Sequence, residues 1–132
     1  MTVKRFAVAA LLMAAIGGCH KTPPTQSGGK SVSYWLEAVS GPDAKLRKEA
    51  VEKLGNVGPT DPAALPAVIR ALRDQDAKVR RAAIVALMKF GPLREETKLI
   101  LTDLKARDPD IQVRSFAARA LDRVASDAEG RD

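Results

Sequence analysis

Beyond residue 30 the apolar positions of the chain fall three and four apart, the spacing of one face of an α-helix. Counted from Asp43 they are Leu46, Ala50, Leu54 and Val57. The same offsets from Asp76 give Val79, Ala83, Leu87 and Phe90, and from Asp110 they give Val113, Ala117, Leu121 and Val124. The three aspartates lie 33 and 34 residues apart, a period in the range of helical solenoids. Each aspartate stands where an N-cap carboxylate can accept bonds from free amides and meet the positive end of the helix dipole. Gly58-Pro59 and Gly91-Pro92 follow the first two segments, and glycine then proline stops a helix.

A second helix series precedes the first in each unit. Val32, Trp35, Leu36 and Val39 align with Leu65, Val68, Ile69 and Leu72, and then with Thr97, Ile100, Leu101 and Leu104. The chain therefore reads as three helix pairs, about 31–58, 61–91 and 93–125. Asp61-Pro62 predicts an N-cap and first helical residue for unit two, and Pro66 can bend the start of that helix. The segment Lys105–Pro109 predicts a turn two residues longer than its counterpart in unit two. Trp35 aligns with Val68 and Ile100 and is expected in the core. Tyr34 aligns with Ala67 and Leu99, a position expected to be partly buried.

The three second-helix segments read DAKLRKEAVEKL, DAKVRRAAIVAL and DIQVRSFAARAL. The pattern Asp-x-x-Val-Arg-x-x-Ala-x-x-x-Leu resembles HEAT repeats, above all the short bacterial HEAT-like kind. The resemblance covers residues 31–126. It implies an all-α fold, a short right-handed α-solenoid of three HEAT-like helical hairpins. It also implies a structural ladder of Asp43/Arg47, Asp76/Arg80 and Asp110/Arg114, each arginine reaching along the stack to a neighbouring repeat's aspartate. Unit one departs with leucine for valine at position 46, and unit three has Ala125 where the others have glycine. Glu49 and Lys53 replace the apolar pairs of the later units, Ala82/Ala86 and Phe116/Ala120. Four apart, they are expected to pair and form a solvated cap that starts the stack. Residues 127–132 are expected to fray.

The first 30 residues have a different character. Lys4 and Arg5 precede an apolar run of 11 residues, Phe6 to Ile16. That is too short for a membrane span, which needs about 17–25 residues, and its flanks match a secretory h-region. The following Ile16-Gly17-Gly18-Cys19 resembles the lipobox of bacterial lipoproteins. The resemblance implies removal of residues 1–18 as a signal peptide, lipidation of Cys19 with a palmitate-type chain, and a membrane-anchored protein of the bacterial cell envelope. Residues 19–30 then read as the lipidated cysteine and a flexible tether, since HKTPPTQSGGK is polar and rich in proline and glycine.

Composition narrows the chemistry. Loss of residues 1–18 would lower the formal charge from +6 to +4, with both signs mixed along the chain. Such a balance lacks the clustered cationic block of a nucleic-acid-binding tail. Cys19 is the only cysteine and His20 the only histidine, so the repeats hold no thiol nucleophile and no imidazole base. No phosphate loop is present, and a metal site would have to be all-carboxylate, from Glu95-Glu96 or Asp108/Asp110, acids that helix starts favour anyway; the expectation is a monomeric, non-enzymatic protein without cofactor or metal. The candidate binding residues project from the second helices away from the apolar stripe: Lys45, Lys48, Lys78, Arg81, Val85 and Arg119. Second helices of such solenoids line extended binding surfaces. The expected partner is a protein. The alternative is an anionic lipid surface or another polyanion, held by Lys45, Lys48, Lys78 and Arg81.

Overall fold

The computed structural model describes residues 26–130. Cys19, the lipobox motif and His20 lie outside the described residues. Among the described residues six α-helices form three consecutive hairpins. Unit one holds α1 (Val32–Ala38) and α2 (Ala44–Val57), unit two α3 (Ala64–Ala71) and α4 (Ala77–Leu87), unit three α5 (Glu95–Arg107) and α6 (Ile111–Glu129). The second helices α2, α4 and α6 pack in series, and each first helix lies against its own unit's second helix. The protein is a short α-solenoid. Among the described residues no helix is long and apolar enough to cross a membrane.

The repeat positions form the core. Leu54, Val79, Ala83, Leu87, Val113 and Ala117 are all fully buried, as are Val68, Leu72 and Leu101 from the first helices. Leu121, its outer side uncovered by a further repeat among the described residues, is only partly buried. Each second helix is capped as its sequence predicts. Asp43 Oδ1 accepts from the amides of Lys45 and Leu46 at 2.7 and 3.2 Å. Asp76 Oδ1 takes those of Lys78 and Val79 at 2.7 and 3.3 Å. Asp110 Oδ1 takes that of Val113 at 2.8 Å. Gly58 and Gly91 adopt φ of 58° and 86°, left-handed values that reverse the chain without a Cβ penalty.

α2 and α4 approach closely because Gly55 carries no side chain. A Cβ there would lie 2.7 Å from the Cβ of Ala86. The equivalent position of unit two, just past the end of α4, holds Met88.

Several expectations are corrected. Residues 26–30 are not tether. They belong to a β-hairpin, with β1 (Gln26–Ser27) antiparallel to β2 (Lys30–Ser31). Gly28 and Gly29 turn it with φ of 61° and 76°, as a two-residue type I′ loop requires. Trp35, 2% exposed, holds the hairpin by donating its indole N–H to Ser27 O at 2.7 Å. The Lys30 ammonium lies 3.9 Å from the Tyr34 ring centroid. Glu49 and Lys53 form no ion pair. Lys53 lies instead along Gly28, 2.6 Å from where a Cβ would stand, so the hairpin covers the N-terminal edge of the stack.

Asp61 caps no helix. Its carboxylate bonds the amide of Ala63 at 2.8 Å in a turn, and α3 begins at Ala64. The two extra residues of unit three lengthen α5 rather than the turn after it. Ser126 to Glu129 continue α6, since no glycine interrupts it at Ala125. Leu99 is 69% exposed, although its counterpart Ala67 is fully buried.

Candidate functional site

The arginine ladder exists with different acceptors from those expected. Arg47 makes a two-pronged contact with Asp74, Nε to Oδ2 at 2.8 Å and Nη2 to Oδ1 at 3.0 Å. Arg80 does the same with Asp108, at 2.7 and 2.8 Å. Each arginine also donates Nη1 to two carbonyls of the turn before its own helix, those of Gly41 and Pro42 for Arg47 and those of Asp74 and Gln75 for Arg80. The capping aspartates Asp43, Asp76 and Asp110 are not the partners, because their oxygens face their own helix amides. The partners stand two residues earlier. Asp74 and Asp108 also accept the amides of Asp76 and Asp110, at 2.8 and 2.9 Å.

Each ladder carboxylate thus joins the preceding repeat to its own helix cap. A signal for it was present. Units two and three read Asp-x-Asp at 74–76 and 108–110, whereas unit one, with no ladder arginine before it among the described residues, reads Gly41-Pro42-Asp43. Arg114 keeps the carbonyl contacts, to Asp108 O at 2.7 Å and Pro109 O at 3.4 Å. Among the described residues it meets no carboxylate.

The ladder is buried and structural. Arg80 and Asp108 are 8% and 6% exposed. Burial alone would raise the Asp74 and Asp108 carboxyls. The hydrogen bonds from Arg47 and Arg80, those from the Asp76 and Asp110 amides, and the nearby guanidinium charges outweigh it and hold both below the usual aspartate range. The same contacts raise both arginines further, so all four groups are ionised at neutral pH.

The open surface lies a quarter-turn away on the same helices. Two adjoining concavities, of about 340 and 450 Å³, run across α2, α4 and α6. Val85, Lys89 and Phe116 line both, so they form one strip. Of the residues expected to bind, Lys48, Lys78 and Arg81 line the first concavity, Arg119 the second and Val85 both. Lys45 is exposed but lines neither.

Residues outside the expected set complete the strip. Ala82 and Ala86 contribute to the first concavity, Ala120 and Arg123 to the second, and Phe116 to both. Phe116 aligns with Ala82 in the repeat. Its bulk exceeds the space that alanine fills, so part of the ring reaches the surface beneath Arg119, whose guanidinium sits 4.4 Å from the ring centroid.

Charges on the strip are of nearly one sign. Glu52 is the one acidic residue lining it, and Lys48 binds it at 2.6 Å. Lys89 reaches Asn56 at 2.5 Å. Val85 is 46% exposed on the open side of α4. Among the described residues no group of three histidine, cysteine or acidic side chains could hold a metal ion. Asp108 and Asp110 are engaged in the ladder and the cap.

The repeat period, the caps and the arginine ladder find their counterpart in a known family. The family model described as HEAT repeats matches residues 32–122. The chain belongs to the HEAT repeat family. HEAT repeats are in general protein-interaction scaffolds, and stacking them creates extended surfaces on which partners bind. No curated protein matches the chain. In this HEAT protein the strip across α2, α4 and α6 has the form of such a surface, with apolar side chains along its floor and cations at its rim.

Proposed function

We propose that this HEAT protein is a lipid-anchored scaffold or accessory subunit of a bacterial envelope membrane. It binds a protein partner through the strip across α2, α4 and α6. The observation that carries the reading is Val85, an apolar side chain left 46% exposed between cations on an otherwise polar helix face. Ile16-Gly17-Gly18-Cys19 after an apolar run supports the anchor. The work assigned is binding rather than catalysis. Hydrophobic stacking sets the shape of the surface, and side chains of the second helices select the partner.

Two measurements test it. Fatty-acid labelling in cells should mark the wild type and not Cys19→Ala, which should also leave the membrane fraction. An unlabelled wild type would remove the anchor. A photo-crosslinking residue at position 85 should capture one partner in native membranes, and the same residue at position 99 should not. Capture from 99 alone would move the working surface to the first helices.

A further inference from the structure

The strip also carries information about what fills it. Its floor is apolar, formed by Ala82, Ala86, Val85 and the Phe116 ring. Cations flank the floor: Lys48, Lys78 and Arg81 toward α2, Arg119 and Arg123 toward α6. Lys48 is neutralised by Glu52, so the remaining charge is uncompensated on the strip itself. Arg81 is half-buried and lines the first concavity, where a carboxylate entering from the open side can meet its guanidinium in a charge-assisted contact. Arg47 and Arg80 show the same chemistry in the ladder of this chain.

We propose that the strip recognises an acidic protein segment bearing one bulky apolar side chain. The apolar group seats between Val85 and Phe116. Carboxylates on one side of it meet Arg81 and Lys78, and those on the other meet Arg119. The concavities, about 340 and 450 Å³, are at the small end for binding pockets. They suit a side chain and its flanking backbone. A flat bilayer would touch the cationic rim without reaching the recessed ring of Phe116, and for this reason a protein segment is favoured over an anionic lipid surface. The proposal rests on the second-helix strip being the working surface.

The test is selection of random 12-residue peptides on the full chain in detergent, followed by binding measurements on the enriched sequences. The expected result is enrichment of net-negative peptides containing Leu, Ile, Phe or Trp. Val85→Ser and Arg81→Gln should each weaken their binding about tenfold with unchanged melting temperature. Lys45→Gln, off the strip, should have no effect. Neutral or basic winners that still respond to Val85→Ser would overturn the partner chemistry and leave the strip as the working surface. Winners that ignore Val85→Ser and respond to Leu99→Ser would overturn both, as would a selection that enriches nothing. Vesicles of phosphatidylglycerol provide the other arm. If they compete fully with the peptides while phosphatidylcholine vesicles do not, and salt abolishes both interactions equally, the strip reads anionic charge alone and the apolar anchor is refuted.

Discussion

Gly55 shows how much of a helix contact can rest on one missing methyl group. It lies inside α2, where glycine costs about 1 kcal/mol relative to alanine by propensity. A surface glycine there would be improved by alanine. Here the added Cβ would stand 2.7 Å from the Cβ of Ala86 and 3.1 Å from its Cα, and neither atom is the far end of a flexible side chain. Relief requires α2 and α4 to move apart. Overpacking of this kind costs about 1–3 kcal/mol, which exceeds the propensity gain. Gly55→Ala is therefore expected to destabilise by about 1 kcal/mol net. Thermal melting checks it, and an unchanged or raised midpoint would show that the two helices separate freely. The sequence places Gly55 two residues before the end of its helix, and α2 does run to Val57. The close approach was not legible because it depends on a residue 31 positions away.

At the scale of elements, the helices, their aspartate caps and the glycine stops were legible, while the N-terminal hairpin and the acceptors of the ladder arginines were not. The period that aligns Leu54, Leu87 and Leu121 comes from burial on one helix face, which every repeat must satisfy. The β-hairpin had no such constraint. Its strands have two residues each, too few to show alternation, and only the Gly28-Gly29 pair marks it. The polar partner of each ladder arginine was misplaced by two residues because both aspartates of Asp-x-Asp are adequate acceptors in isolation. Geometry separates them: one faces its own helix, the other the repeat before. Position in the stack also grades the core. Leu87 is fully buried in the middle unit, while Leu121 is partly exposed. Leu87→Ala should cost about 2–5 kcal/mol as a cavity in a covered site. Leu121→Ala should cost less, under about 2 kcal/mol, since water reaches one side of it. Chemical denaturation of the two variants checks the order, and equal losses would mean that α6 is covered as fully as α4.

At the scale of the whole molecule, a solenoid has no contacts between distant repeats, so its stability is a sum of units and neighbouring interfaces. The buried Arg47–Asp74 and Arg80–Asp108 contacts sit one in each interface. They are the polar half of the coupling and the part sensitive to acid. Both carboxyls titrate below the usual aspartate range when folded, whereas in the unfolded chain they return to about 3.9. The contribution is therefore complete above about pH 4 and is lost as pH falls through the lower folded values. Asp108→Asn isolates it, since the amide keeps an oxygen for the Asp110 N–H while removing the charge. At neutral pH the variant should be less stable by about 3 kcal/mol, the lower end of the range for leaving a buried charge unpaired. Other carboxylates titrate equally in both proteins and cancel from the difference. The gap between wild type and variant should hold from pH 7 to about 5, then narrow steadily below about pH 4 as wild-type Asp108 takes up its proton. A gap that stays constant down to pH 2.5 would mean that shape and hydrogen bonding, not the ionised carboxylate, join unit two to unit three.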